Sequence, residues 1–190
     1  MPFISGSTAF LEILKQEGAD CIFGNPGTTE LPLMDALQGQ KEIRYFLALH
    51  EGVAVSMADG YAIASGKLGV VNVHTTPGIG NSMGMLYNAY KANSPLLVTA
   101  GQHDQSFLIT EPILHSNLPD VAKPYVKWSY EIHRLEDLPR AIHRAAKVAV
   151  FPPAGPVFLS LPADVLKAKG EIDLGAPTRI DPHLRASQAA

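Results

Sequence analysis

Apolar and polar positions along the chain follow two periods, one typical of amphipathic helices and one typical of buried strands. Phe10, Leu11 and Leu14 form an apolar stripe at helical spacing, which predicts a helix over residues 7–17. The apolar run at 21–23 is short and precedes the turn sequence Gly-Asn-Pro-Gly, which predicts a strand and a tight loop. A helix, a strand and a loop therefore open the chain.

The alternation of strand and helix continues to about residue 161. Apolar runs predict further strands at residues 45–49, 69–73, 96–100, 126–130 and 156–161. Further helices are predicted after a cap at Thr28 or Thr29, over residues 52–65, after a Gly-rich loop through Tyr90, and over residues 135–150. The Pro-punctuated stretch 101–124 is predicted to be a loop with one short helical turn.

Near-continuous apolar strands that alternate with helices indicate a parallel sheet covered on both faces. We therefore predict an α/β fold with three α/β/α layers around a central, mostly parallel sheet of about six strands. The 190 residues suffice for one such domain, which we assign to residues 1–166. Residues 167–190 are polar and lack clear periodicity, which predicts a linker or tail toward a further domain.

The composition excludes several classes of protein. With 46% hydrophobic residues, 17% charged residues and a net charge of -3, the chain has no basic surplus, so nucleic acid is not an expected partner. No apolar run approaches the roughly 20 residues that cross a bilayer, which predicts no membrane association and a cytoplasmic location. Cys21 is the single cysteine and lies in an apolar run, which predicts a buried thiol without a disulfide.

Three loops follow predicted strands, and ligands of parallel sheets bind at those strand ends. In the loop at 49–52, Glu51 begins a helix, as either a functional carboxylate or an ordinary acidic residue at a helix N-terminus. The loop at 25–29 offers backbone amides and hydroxyls to an anion or a polar ring edge, or it is a plain turn. In the loop at 74–81, His74 is either a general acid or base or a hydrogen-bonded structural residue.

Two kinds of site are not expected in this chain. The glycines at 78, 80 and 84 have the spacing G-x-G-x-x-x-G after the third strand, unlike a dinucleotide fingerprint. The other histidines lack the spacing of a protein-made metal site, so no metal ligand is predicted here; they are His50, His103, His115, His133, His143 and His183.

Three segments taken in order resemble the N-terminal, pyrimidine-binding (PYR) domain of thiamine diphosphate-dependent enzymes. They are Phe23-Gly24-Asn25-Pro26-Gly27-Thr28-Thr29-Glu30-Leu31-Pro32, Leu49-His50-Glu51-Gly52 with Ala58-Asp59-Gly60-Tyr61-Ala62, and Pro77-Gly78-Ile79-Gly80-Asn81. The resemblance covers residues 7–164. Val73-His74 and the stretch 126–130 are most similar to benzoylformate decarboxylases, so the resemblance implies a 2-oxoacid decarboxylase.

The resemblance implies a role for each matching residue. Glu51 corresponds to the glutamate that hydrogen-bonds N1′ of the aminopyrimidine and activates the cofactor, and His74 to a histidine that transfers protons near the substrate. Thr28 corresponds to a serine that contacts the substrate carboxylate, and Thr75 and Pro77 also differ from the benzoylformate enzymes. The remaining residues that the resemblance places at the cofactor are Asn25, Pro26, Gly27, Gly78 and Asn81.

The resemblance also implies partners. In the family, a separate diphosphate-binding domain with a Gly-Asp-Gly segment holds the diphosphate and Mg²⁺, and that segment does not occur in this sequence. We therefore expect the chain to act with such a domain, in the same polypeptide or a second subunit, and to form a homodimer or tetramer. The alternatives are an acetolactate synthase-like or aldehyde-ligating domain, a non-catalytic module of the same fold, and a flavodoxin-like domain for another ligand.

Overall fold

The structure, a computed structural model, describes residues 1–178. Its strands are β1 (Phe3–Ser5), β2 (Cys21–Asn25), β3 (Arg44–Leu47), β4 (Gly69–Val73), β5 (Leu96–Gln102), β6 (Ser129–Glu131), β7 (Val157–Pro162) and β8 (Lys169–Glu171). Its α-helices are α1 (Gly6–Gln16), α2 (Leu31–Gln38), α3 (Glu51–Ser65), α4 (Thr75–Ala92), α5 (Leu118–Ala122), α6 (Leu138–Val150) and α7 (Ala163–Lys167). Across residues 1–178, none of the helices combines the length and the apolar character that crossing a bilayer requires.

Six strands form one sheet in the order β3-β2-β4-β5-β7-β6, and every neighbouring pair is parallel. The inner strands β4, β5 and β7 are buried along their whole length, as their continuous apolar runs predict. The prediction of a parallel sheet of about six strands is confirmed.

Helices cover both faces of this sheet. One core lies between the sheet and α1, α2 and α6, and the other lies between the sheet and α3, α4 and α5. Strand β5 contributes to both, with Leu97 in the first core and Val98 in the second, because successive side chains of a strand point to opposite faces. Cys21 is buried in the second core, as predicted. The fold therefore has the three layers that the alternating pattern predicts.

The order of the strands changes direction at β2. Strand β3 pairs with one side of β2, and β4 pairs with the other side. Helix α2, which follows β2, and helix α4, which follows β4, pack on opposite faces of the sheet. In doubly wound folds such a switch point opens a crevice at the carboxyl ends of the two central strands. Here the switch point lies between the end of β2, at Asn25, and the end of β4, at Val73, and we call the space at these two strand ends the crevice.

Two predicted connections differ from the structure. The segment after β4, which we predicted to be a Gly-rich loop, is helical from Thr75, and the amide of Gly78 donates to the carbonyl of His74 at 2.7 Å. A Cβ atom on Gly78 would lie 3.1 Å from Cβ of Val73, so glycine lets α4 begin close to the strand. Gly78 therefore serves close packing and not a loop conformation.

The second difference concerns the cap of α2. We predicted that Thr28 or Thr29 caps the helix, but residues 28–30 form a 3₁₀ turn that continues into α2, and neither threonine side chain caps it. The Glu30 carboxylate instead accepts the amide hydrogen of Gly27 at 2.8 Å. The start of this helix therefore depends on a side chain three residues after the turn.

Residues that follow α7 pack against the domain. Strand β8 pairs antiparallel with β1, and Phe3 lies opposite Glu171. Ile172 is 3% exposed and belongs to the first core. The pairing was not predicted because each strand has three residues, too few for a recognisable period. The domain boundary at residue 166 stays a prediction, and the tail beyond residue 178 lies outside the described residues.

Candidate functional site

Glu51 lies at the N-terminus of α3, as predicted, and its side chain is largely buried at 7% exposure. Its Oε2 accepts a hydrogen bond from Nδ2 of Asn81 at 2.9 Å, which joins the first turn of α3 to α4. His50 precedes it as the cap of α3, with Nδ1 accepting from the amide of Gly52 at 3.0 Å. The two predicted cofactor residues Glu51 and Asn81 are therefore in direct contact.

The geometry of Glu51 suits a ligand that offers a ring nitrogen. Within residues 1–178, its second oxygen, Oε1, has no hydrogen-bond partner. The carboxylate lies at the positive end of a helix and is mostly removed from water, where a hydrogen bond to a ligand is stronger than in bulk solvent. The side chain can therefore accept a hydrogen bond from, or share a proton with, a nitrogen heterocycle such as an aminopyrimidine.

The turn at residues 25–27 packs directly against His74. Asn25 ends β2, and a Cβ atom on Gly27 would lie 2.4 Å from the imidazole of His74, so the ring occupies space that any other residue would fill. Pro26 lies between them and restricts the backbone of the turn. The structure therefore brings the predicted residues Asn25, Pro26, Gly27 and His74 to one place, the crevice between β2 and β4.

His74 is held by a buried carboxylate that the sequence analysis did not single out. Its Nδ1 lies 2.9 Å from Oε2 of Glu30 and 3.2 Å from Oγ1 of Thr29. Glu30 is 1% exposed, and its Oε1 accepts from the amide of Gly101 at 2.7 Å and from Thr29 Oγ1 at 2.8 Å. A glutamate three residues after a turn glycine, the spacing of a capping box, is the signal that could have identified it.

A polar side chain of the neighbouring strand lies beneath this group. The Tyr45 hydroxyl of β3 donates to Oδ1 of Asn72 at 3.3 Å. Burial and the negative charge of Glu30 raise the pKa of Tyr45 above its ordinary value, so the phenol stays protonated and remains a donor. A neutral hydroxyl therefore lies between Gly24 of β2 and Asn72 of β4.

Thr75, which links β4 to α4, has an unusual backbone conformation. Its φ is 40°, a value that a β-branched residue rarely adopts, and its side chain is fully buried. Within the described residues, its Oγ1 has no hydrogen-bond partner. A conformation of this kind costs free energy and persists only where the surrounding structure fixes it, and such residues are frequent at functional sites.

The remaining predicted residues lie at different distances from Glu51 and from His74. Gly78 is in the first turns of α4 against Val73, and Asn81 follows His74 by seven residues, roughly 10 Å along a helix. Thr28 is exposed and lines a surface groove with Leu31 and Lys167. Its contact with a substrate carboxylate stays a prediction. Among residues 1–178, no three His, Cys, Asp or Glu side chains lie close enough together to hold a metal ion.

Comparisons with known proteins give the family to which this chain belongs. The family described as "Thiamine pyrophosphate enzyme, N-terminal TPP binding domain" matches residues 4–115. Benzoylformate decarboxylase of Pseudomonas aeruginosa is 45% identical over 158 residues, which cover 83% of this chain and 30% of that protein. The acetolactate synthase large subunit of Lactococcus lactis is 36% identical over 186 residues, which cover 98% of this chain and 32% of that protein.

A solved structure extends the similarity to three dimensions. The thiamine diphosphate-dependent 4-hydroxybenzoylformate decarboxylase of Rhodococcus jostii RHA1 superposes with a TM-score of 0.84 at 41% identity, over 90% of this chain and 32% of that chain. The chain thus spans about a third of the length of these relatives. The matched family covers the crevice, Glu51, His74 and Asn81, and more than half of the sequence. The chain therefore belongs to the N-terminal, pyrimidine-binding domain family of thiamine diphosphate-dependent enzymes.

Proposed function

We propose that this chain is the pyrimidine-binding part of a 2-oxoacid decarboxylase in which Glu51 activates thiamine diphosphate. The observation that carries the proposal is the buried carboxylate of Glu51 at the N-terminus of α3, with one oxygen held by Asn81 and the other without a partner in the described chain. The similarity to benzoylformate decarboxylase and to 4-hydroxybenzoylformate decarboxylase supports decarboxylation as the reaction.

The cofactor and the chain divide the chemistry between them. Thiamine diphosphate, when bound, would supply a nucleophilic thiazolium carbon for the carbonyl of a 2-oxoacid and a thiazolium ring that takes up the electron pair left when carbon dioxide departs. Glu51 holds a proton at N1′ of the pyrimidine, and Asn81 keeps the carboxylate in place for it. The turn at residues 25–27 and the start of α4 at Gly78 line the crevice against which the pyrimidine packs.

His74 is the second residue with a proposed chemical role. An imidazole can donate and accept protons near neutral pH, and this one lies in the crevice with 21% of its side chain exposed. We assign to it the transfer of a proton to and from the reacting part of the substrate, and to Thr28 a contact with the substrate carboxylate.

The proposal includes a partner domain. Because the chain spans about a third of its relatives, a diphosphate-binding domain that also holds Mg²⁺ would complete the site, in the same polypeptide or in a second subunit. The assembly proposed from the family is a homodimer or a tetramer. The cytoplasmic location stays a prediction.

Decarboxylation is favoured over the alternatives. The decarboxylases compared here are 45% and 41% identical to the chain, against 36% for the acetolactate synthase subunit. A non-catalytic module would have no need to retain the buried Glu51–Asn81 contact together with the residues of the turn. A flavodoxin-like domain is contradicted by the family to which the chain belongs.

Replacing Glu51 with glutamine tests the proposal. In the complete enzyme, with its diphosphate-binding domain, we expect Glu51→Gln to lower kcat for 2-oxoacid decarboxylation at least about 10²-fold, because an amide cannot exchange the proton. Glu42→Gln is the matched control, since Glu42 has a 72% exposed side chain next to the opposite end of β3. Circular dichroism checks that both variants fold. Undiminished turnover by a folded Glu51→Gln enzyme would contradict the proposal.

A further inference from the structure

We propose that Glu30 is a positioning residue for His74. Its buried carboxylate holds the proton of His74 on Nδ1 and thereby leaves Nε2 as the nitrogen that exchanges protons with a ligand. The inference rests on the proposed function for its catalytic meaning, because proton exchange by His74 matters only in a working enzyme. The hydrogen bonds themselves are all formed within this chain.

Both carboxylate oxygens of Glu30 are surrounded by hydrogen-bonding groups. Oε2 lies 2.8 Å from the amide of Gly27 and 2.9 Å from Nδ1 of His74. Oε1 lies 2.7 Å from the amide of Gly101 and 2.8 Å from the hydroxyl of Thr29. An ionised carboxylate only accepts hydrogen bonds, so the nitrogen of His74 that faces it must carry a hydrogen.

The carboxylate of Glu30 is held in one position by these partners. Its partners lie at the ends of three adjacent strands, with Gly27 after β2, His74 after β4 and Gly101 within β5. A Cβ atom on Gly101 would lie 2.2 Å from Oε1 of Glu30, so the carboxylate packs against the backbone of β5 itself. Because the sheet fixes these three points, Glu30 fixes both the position of the ring and its tautomer.

Another buried carboxylate and imidazole pair in the described chain is formed by Glu17 and His143. His143 contacts Oε1 of Glu17 through Nδ1 at 2.5 Å and the carbonyl oxygen of Leu174 through Nε2 at 2.9 Å, so both its ring nitrogens are occupied by the protein. Nε2 of His74, by contrast, has no hydrogen-bond partner within residues 1–178. His143 therefore has the arrangement of a structural histidine, whereas His74 keeps one nitrogen available to a ligand.

The tautomer can be measured by NMR on the 190-residue chain without any cofactor. We expect ¹⁵N-labelled chain to show the hydrogen of His74 on Nδ1, with the signal assigned by its loss in His74→Gln. In Glu30→Gln the side-chain amide can donate to Nδ1, so the hydrogen moves to Nε2 or the two tautomers exchange. Glu17→Gln is the matched control and should leave the signals of His74 unchanged.

Activity provides the second readout. In the complete enzyme, Glu30→Gln is expected to lower kcat by about 10²-fold with a smaller change in KM, because a misoriented base binds substrate but transfers protons poorly. Glu17→Gln should retain the parent kcat.

The outcomes separate the two proposals. A parent spectrum in which neutral His74 carries its hydrogen on Nε2 overturns the positioning role, even if Glu30→Gln fails to fold. Unchanged His74 signals and turnover in a folded Glu30→Gln protein overturn it as well. If the tautomer moves as expected while Glu51→Gln retains full turnover, the proposed function fails and the hydrogen-bond assignment stands.

Discussion

Gly27 has no side chain and therefore leaves room for the imidazole ring of His74. The imidazole of His74 lies where its Cβ atom would be, with 2.4 Å between that atom and the nearest ring atoms. The φ of Gly27 is -119°, which any residue can adopt, so the need for glycine comes from space and not from backbone conformation. The crevice therefore depends on the absence of one methyl group.

Gly27→Ala is expected to displace His74 from Glu30. We expect the free energy of unfolding to fall by about 1 to 3 kcal/mol, because the methyl group overpacks a tight site, and turnover in the complete enzyme to fall as well. Gly60→Ala is the matched control, since no atom of the described residues lies within 4 Å of its Cβ position in α3.

The control should change stability in the opposite direction. Alanine in an exposed helix interior stabilises by roughly 0.5 to 1 kcal/mol relative to glycine. Urea unfolding followed by circular dichroism measures both variants. Equal stability of Gly27→Ala and the parent chain would show that the ring can move aside at no cost.

Among the elements, β8 and the residue after it add packing to the domain beyond α7. The strand pairs with β1 beside the N-terminus of α1, and Ile172 fills part of the core beneath α1 and α6. Burying an isoleucine side chain stabilises a fold by about 1.5 to 3 kcal/mol. From this packing we expect the domain to extend past residue 166, where the sequence predicts its boundary.

A comparison of two truncated chains tests that extension. A chain that ends after Leu166 loses β8 and the buried Ile172. Its free energy of unfolding is therefore expected to be lower, by about 2 kcal/mol or more, than that of a chain that ends after Thr178. Both chains lack residues 179–190, so the difference reports the segment 167–178. Equal urea midpoints and slopes would support the boundary at 166 instead.

The whole molecule exposes several large apolar side chains at the end of the sheet where the crevice lies. Leu49, between β3 and α3, is 95% exposed, and Ile109 and Ile113, in the connection after β5, are 91% and 85% exposed. Val53 on α3 is 49% exposed. Apolar surface of this kind normally lies against another domain or subunit.

The isolated chain is therefore expected to self-associate. Light scattering should show a mass that rises with concentration, and Leu49→Ser with Ile109→Ser should reduce that rise because the exposed apolar area becomes smaller. Addition of a diphosphate-binding domain should reduce it too if that domain covers the same surface. A clean monomer at high concentration would contradict the expectation.

The sequence by itself determined the elements with strong periods and the local chemistry of their ends. Continuous apolar runs identified five of the six strands of the central sheet closely, and the position of Glu51 at a helix start followed from the residues on either side of it. These features depend on neighbours in the chain, which a sequence displays. The resemblance added the family, which the comparisons confirmed.

The tertiary structure alone decided which distant residues meet. The contact of Glu30 with His74 and Gly101 spans 44 and 71 residues, and that of Glu51 with Asn81 spans 30. Such contacts arise because parallel strands bring their carboxyl ends to one edge of the sheet. The short strands β1 and β8 likewise acquire their conformation from pairing with each other, and not from any pattern of their own.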